Sequence, residues 1–300
     1  MPGARLIRSG ATRSGDPGPP GRLGPVGART RALLAWGRAN RRDLPWRATR
    51  DPWLVLVSEV MLQQTQADRV APRWVEWAQA YPRPADLAAA PLSEALRRWQ
   101  GLGYPRRARS LHLSATAMVE HHGGRVPDDL DGLLVLPGVG PYTARAVLVF
   151  AHGARVGVVD TNVGRVLARW AGAPLRAAEA QATADALVPA GRAWEWGQAL
   201  FDLGATVCTR RSPACGDCPV ARWCAWGRAP EGVVDPAEGT AGASRRQARF
   251  DGSMRQARGR LMADLVEAPR PADAVDPEVA ASLERDRLVV LRDGCWALAD

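Results

Sequence analysis

Four of the five cysteines fall in one short segment, Cys208, Cys215, Cys218 and Cys224, spaced C-x6-C-x2-C-x5-C. Nothing at the N-terminus reads as an apolar secretory segment, so clustered thiols point to a bound metal rather than to disulfides. A tetrathiolate zinc ion and a four-iron cluster both use four cysteines, and the spacing alone leaves both open. Arg210, Arg211 and Arg222 lie within or beside the loop, where a metal would hold a basic surface in place. The fifth thiol, Cys295, is distant and expected to be buried.

Two carboxylates are the second chemical feature. Glu59 stands in "SEVMLQQTQ" (58–66), directly after the apolar run WLVLV. Asp51 as N-cap and Pro52 at the first helical position start a helix there, and the helical run is read as continuing through the glutamines. Val55, Leu56, Leu62 and Gln63 then flank Glu59 at helical spacing. A carboxyl among apolar side chains loses hydration, which favours its neutral form and raises its pKa, as a general acid requires. A glutamate paired with one of the many arginines fits the same segment. Asp160, in "VVDTNVGRVLARW" (158–170), is an N-cap by pattern. Held ionised by N–H donors and the helix dipole, it could also face a developing cation.

The third feature is "LLVLPGVGPYTARAVLVFAHG" (133–153), a short helix, a PGVG turn and a new helix from Pro141. Gly138 and Gly140 allow tight backbone geometry around Val139, and the following helix offers unpaired N–H groups. Such a helix-hairpin-helix turn grips a DNA phosphate without reading sequence. The histidines form no ligand cluster; His121 and His122 precede Gly123 where a helix should end.

The elements that must position these groups are helical. From Arg29 to about Val207 apolar residues recur at three and four positions, with Pro or Gly breaks. Residues 1–28, rich in Gly, Pro and Arg, read as a disordered basic arm. A linker is expected over 230–245, then helices near 253–267 and 276–286. The hairpin "LVVLRDGCWALA" follows, with Asp-Gly at its turn, so that 246–300 forms a small, winged-helix-like α+β domain. The chain of 300 residues is 46% hydrophobic, enough for a buried core, and lacks an apolar run long enough for a membrane span. A cytoplasmic protein is expected. The formal charge of +9 favours a polyanionic partner, although all forty basic residues are arginine, as a GC-rich genome would also produce. Without lysine, the amine nucleophile for Schiff-base cleavage of a DNA backbone is confined to the N-terminus.

In this order, "LPWR" (44–47), "SEVMLQQTQ", "LPGVGPYTA" and the cysteine set resemble the MutY-type adenine DNA glycosylases of the endonuclease III superfamily, over roughly residues 29–226. The resemblance implies an all-α, two-module fold, with a six-helix barrel at about 52–158. The second module, about 29–51 plus 159–229, would hold a [4Fe-4S] cluster on the four cysteines. It implies Glu59 as the acid that protonates a flipped-out adenine and Asp160 as the carboxylate facing the sugar cation. Tyr142, where lyase relatives carry lysine, would support the centre, as would Asn162. Arg47 and Gln198 would line the adenine pocket, Tyr104 of "GLGY" would wedge into the duplex, and Leu62, Gln64 and Thr65 would surround the base opposite adenine. The implied partner is double-stranded DNA with adenine opposite 8-oxoguanine or guanine, bound by a monomer at the nucleoid. The competing readings are a glycosylase for oxidised pyrimidines or mismatched thymine, and a non-catalytic, metal-stabilised DNA-binding protein. Only 76 residues follow Cys224, too few for the Nudix-like domain common in the family.

Overall fold

The computed structural model describes residues 26–240 and 249–300. Most of the expected basic arm lies outside the described residues, and α1 (Val26–Ala39) begins within its last three positions. Helix α2 (Pro52–Leu62) starts as the sequence predicts. The Asp51 carboxylate accepts from the N–H groups of Trp53 and Leu54 at 2.8 and 3.1 Å, and Pro52 loses no bond at the first position. It stops at Leu62 instead of continuing through Gln66: Gln64 takes a left-handed φ of 57°, and Gln63–Gln66 form a turn.

Helices α3 (Ala67–Ala80), α4 (Pro84–Ala89), α5 (Leu92–Arg98), α6 (Arg106–His121), α7 (Leu130–Leu134) and α8 (Pro141–Phe150) follow. Helix α2 packs against α3, α6 and α8, while α4 and α5 lean on α6 and α7 on α8. This central place explains why α2 is apolar almost all round: only Pro52, Leu54 and Leu62 escape full burial. Trp77 closes one end, its ring meeting Tyr81 and Trp99 edge-on at 5.0 and 5.3 Å.

A second group contains α9 (Thr161–Ala171), α10 (Ala177–Leu187), α11 (Ala193–Asp202) and α1. Helix α1 lies along α11 at close range, where a side-chain carbon built on Gly37 would come within 2.5 Å of the Ala199 methyl. Helix α11 widens into a π-turn over Leu203–Val207, closed by the Cys208 N–H bonding Leu203 C=O at 2.7 Å, and delivers the chain to the cysteine loop.

The expected linker does not begin at residue 230. Asp235 pairs with Arg169, Ala237 and Thr240 are buried, and the Thr240 hydroxyl donates to Pro236 C=O, so the stretch packs down through residue 240. Residues 241–248 lie outside the described set. The C-terminal unit runs α12 (Met254–Glu267), β1 (Arg270–Pro271), α13 (Pro277–Arg285), β2 (Val289–Arg292) and β3 (Cys295–Leu298). Its antiparallel sheet has the order β1-β3-β2, with Asp293 and Gly294 at φ 51° and 73° in the tight turn predicted from Asp-Gly. Helix, strand, helix and hairpin follow one another in this unit. Cys295 sits in β3 and is half-buried, not buried, because the small sheet has one open face. Among the described residues no helix is long and apolar enough to cross a membrane.

Gly37→Ala should separate α1 from α11 and destabilise the protein by about 1–3 kcal/mol. The denaturation midpoint in guanidinium, compared with that of the parent chain, checks this.

Candidate active site

The two helical groups leave a cleft of about 820 Å³ between them, and Glu59 of α2 and Asp160 at the start of α9 both line it. Glu59 is 4% exposed. Burial raises its pKa to about 7; the Tyr142 hydroxyl, 3.0 Å from Oε2, works against that rise, the charge of Asp160 adds to it and the more remote Arg47 subtracts. Asp160 caps α9, accepting from the Val163 N–H at 2.7 Å and the Asn162 side chain at 3.0 Å. The donors do not win outright as the sequence suggested: burial pushes the Asp160 carboxyl above its ordinary range, with the donors and Arg165 limiting the rise. Burial and the neighbouring carboxyl groups push the Tyr142 phenol well up, so it stays protonated and donates.

Asn162 is tied deeper into the fold. Its carbonyl accepts from Arg165 at 2.8 Å, and Arg165 also bonds Gly204 C=O at 2.6 Å and Cys208 C=O at 2.8 Å. A hydrogen-bonded path thus runs from Asp160 to the backbone of the first clustered cysteine. It needs Gly204, where a side-chain carbon would sit 2.7 Å from the Asn162 Cβ.

Arg47 and Gln198 line the cleft, as do Leu62, Gln64 and Thr65. Arg47 is not a free reader of the pocket: its two terminal nitrogens grip Asp202 at 2.8 and 2.9 Å, and Arg42 Nε holds the same carboxylate at 2.7 Å. Burial alone would raise the Asp202 pKa, but the arginine bonds outweigh it and hold the group ionised. The Arg47 Nε–H is buried without a partner among the described residues. Sequence reasoning missed Asp202 and Arg42 because nothing in their spacing joins residues 160 apart. It also missed the aromatic wall of Trp46, Phe150, Trp194 and Phe201, which periodicity cannot tell from ordinary core.

Tyr104, Gly138, Val139 and Gly140 stand outside the cleft. Tyr104 has a left-handed φ of 48°, a conformation that costs free energy in a residue with a side chain. Arg107 holds its surroundings. One terminal nitrogen bonds the carbonyls of Val60, Met61 and Gln63, and the other bonds Thr65 Oγ and the carbonyls of Leu102 and Gly103, at 2.7 to 3.0 Å. A single buried guanidinium, which sequence reasoning did not single out, therefore fixes both the Gln63–Thr65 turn and the approach to Tyr104. In the hairpin between α7 and α8, Gly138 has φ 78° and would bring a side-chain carbon to 2.6 Å from the Ser110 Cβ, so both its conformation and its space require glycine. Gly140, at φ −97°, needs no such freedom; a side chain there would meet nothing within 4 Å, and the glycine leaves the start of α8 open to an approaching group. Tyr142 is the second residue of α8, so the hairpin that starts this helix also places the phenol on Glu59.

Burial pushes the Cys218 thiol up to about 11, the backbone N–H of Val220 works against the rise, and the other three thiols add to it. Their sulfurs already accept N–H bonds, Cys208 from Arg169 and Cys224 from Gly227, each at 3.3 Å. Among the described residues no group of three or more His, Cys, Asp or Glu side chains is arranged to hold a single metal ion. Arg29, Arg165 and Arg169 lie around the set, and Arg29 is buried with all three side-chain nitrogens unpartnered among the described residues. A set of four thiols with buried arginines beside Cys208 and Cys224, its outer member Cys215 exposed, fits an anionic thiolate-held group.

Residues 57–227 match the family model for the HhH-GPD superfamily base excision DNA repair protein. The adenine DNA glycosylase of Mycobacterium tuberculosis is 47% identical over 266 residues, covering 85% of each chain. Among solved structures, a thermostable thymine-DNA glycosylase superposes with a TM-score of 0.62 at 31% identity, over 67% of this chain and 97% of that one. Endonuclease III in a trapped covalent intermediate with DNA gives 0.59 at 26% identity, over 67% and 94%. With the family pattern spanning the cleft, the hairpin and the cysteine loop, the chain belongs to the adenine DNA glycosylases of the HhH-GPD superfamily of base excision repair proteins.

Proposed function

We propose that the protein is a monofunctional adenine DNA glycosylase, hydrolysing the N-glycosidic bond of adenine mispaired with 8-oxoguanine or guanine in double-stranded DNA at the bacterial nucleoid. The observation that carries this reading is Glu59, a buried carboxyl with a pKa near 7, bonded to Tyr142 and sharing a cleft with Asp160. A purely structural DNA-binding protein gains nothing from holding a carboxyl in its neutral form.

The adenine leaves the duplex at a cost of a few kcal/mol and enters the cleft, with Tyr104 filling the stack it vacates. Neutral Glu59 gives its proton to a ring nitrogen of the base. The glycosidic bond breaks with its electron pair going to the protonated adenine, and the sugar carbon is left with oxocarbenium character. Asp160, set by Asn162 and the Val163 N–H, faces that positive charge until water adds at the carbon and gives its proton to the Glu59 carboxylate, restoring the acid. Tyr142 orients Glu59 throughout. Asp202 keeps the terminal nitrogens of Arg47 off Glu59 and leaves its Nε–H for the base. Leu62, Gln64 and Thr65 meet the opposite base, while the turn at Gly138, Val139 and Gly140 offers the N–H groups of its two glycines to a phosphate, the Val139 N–H being taken by the Leu136 carbonyl at 3.1 Å.

No lysine exists in the chain, and a phenol stands at residue 142, so excision stops at the abasic site. Cys208, Cys215, Cys218 and Cys224 would hold a [4Fe-4S] cluster, zinc being the alternative. The bound group supplies a fixed anionic anchor for the arginine-bearing loop.

Incubation with a duplex holding adenine opposite 8-oxoguanine should give strand scission at the adenine only after alkali treatment. Scission without alkali, or release of a pyrimidine in its place, contradicts the reading. Glu59→Gln should lower single-turnover excision by about 100-fold or more, as loss of a general acid does, while duplex binding stays nearly unchanged. Excision at the parent rate would remove Glu59 from its role. Because the acid must be protonated, kcat/KM should be high below its pKa and fall as pH rises through about 7. A profile flat from pH 6 to pH 9 would contradict it.

A further inference from the structure

Arg29 lies in the first turn of α1, outside residues 57–227 that match the family, and is wholly buried. Its guanidinium stacks on the Trp170 ring, 4.7 Å from the centroid. A ring face satisfies the π surface of a guanidinium but not the N–H groups in its plane, and none of those has an acceptor among the described residues. The two other arginines of this region differ. Arg165 is bonded to Asn162 and to the Gly204 and Cys208 carbonyls; Arg169 is bonded to Asp235, Cys208 Sγ and the Thr209 and Arg210 carbonyls.

The Cys224 thiol donates to the carbonyl of Arg169, the residue before Trp170, at 3.3 Å, and its charge when ionised favours the Arg29 cation. The Trp170 carbonyl accepts from the N–H of Ala225, the residue after Cys224, so the stacked ring and the last cysteine are joined by backbone at 3.3 Å. A buried cation without an acceptor is expensive, and an anionic thiolate group beside it removes the cost.

We propose that Arg29 is the buried counter-cation of the group held by the four cysteines, and that this pairing docks α1 onto the rest of the fold. The proposal rests on the reading of the cysteines as a thiolate-held metal site, with either iron or zinc. Binding the group supplies the charge that Arg29 needs, and α1 in turn lies along α11, which carries Gln198 into the cleft and sets Asp202 against Arg47. Metal retention and the order of α1 are therefore linked.

The test uses holoproteins of the parent chain, Arg29→Lys and Arg29→Met, matched for folding by circular dichroism. Iron, sulfide and zinc contents of the parent protein settle separately which group is bound; a protein containing none of them refutes the metal reading itself. Two rates are then measured: loss of metal to excess chelator, and hydrogen exchange of the α1 amides. Arg29→Met should lose metal about tenfold or more faster, the usual effect of removing a partner of a metal ligand, with faster exchange in α1. Arg29→Lys, which keeps the charge, should stay close to the parent. If iron is bound, loss of the cation should also make the reduction potential more negative. Should Arg29→Met fail to fold, Arg29→Gln serves as the neutral variant. A neutral variant with the parent's metal-loss and exchange rates overturns the proposal. So does Arg29→Lys behaving like the neutral variant, since packing on Trp170 rather than charge would then be what matters.

Discussion

A carboxyl group removed from water without an ion-pair partner sets the terms for the rest of this fold. Holding Glu59 with a pKa near 7 rather than the ordinary 4.5 means that its charged form is disfavoured by roughly 3 kcal/mol. The sign follows from the direction of the shift: the folded pKa is the higher one, so stability is fully present below the unfolded value and declines as pH rises through about 7. Sustaining that environment requires α2 to be the central helix, walled by α3, α6 and α8. It also requires that cations be kept away, which is difficult in a chain with forty arginines. Asp202 meets this need by taking Arg42 and Arg47 together. An Arg47 released from Asp202 would be available to pair with Glu59 and draw its pKa down.

The two carboxyl groups of the cleft share their burial but not their hydrogen bonds. Both are pushed up by desolvation, yet Asp160 receives a backbone N–H and an amide N–H, whereas Glu59 receives only the phenol of Tyr142. The asymmetry is anchored far from the cleft, since Asn162 is fixed by Arg165 and Arg165 by the carbonyls of Gly204 and Cys208. The order of the cysteine loop and the protonation of the cleft thereby share a common support.

Local chemistry was the legible part of the sequence. Asp51 with Pro52, the PGVG turn, the Asp-Gly hairpin and the helical periodicity each announce an element through a short-range rule, and each forms where predicted. The carboxylates and cysteines were legible as candidates because such residues in such settings have few uses. What sequence could not supply was anything carried by distant pairing: Asp202 with Arg42 and Arg47, Arg107 with its six acceptors, or Arg169 with Asp235. Composition misled at two points. The Pro- and Gly-rich stretch after residue 230 looked like a linker although Asp235 and Thr240 pin it down, and the α2 pattern ran on past Leu62 because a left-handed Gln64 leaves no mark on periodicity.

Two of the four non-glycine residues with left-handed φ among the described residues sit where Arg107 acts. Gln64 and Tyr104 both adopt left-handed φ angles, which the chain tolerates only where surrounding bonds fix the backbone on either side. Arg107 provides such bonds to the carbonyls of Gln63 and Gly103, the residues immediately preceding the two, and stacks within 5.5 Å of the Tyr104 ring. Burial lowers the Arg107 pKa to about 10, still well above neutrality, so the guanidinium keeps its charge and its donors. The C-terminal unit closes on the same place, with Arg255 reaching the Tyr104 hydroxyl at 3.4 Å and Asp286 facing Arg106 at 3.5 Å. The turn at Gln64 and the loop at Tyr104 are therefore not independent; the side chain between them makes the two a single rigid surface beside the cleft.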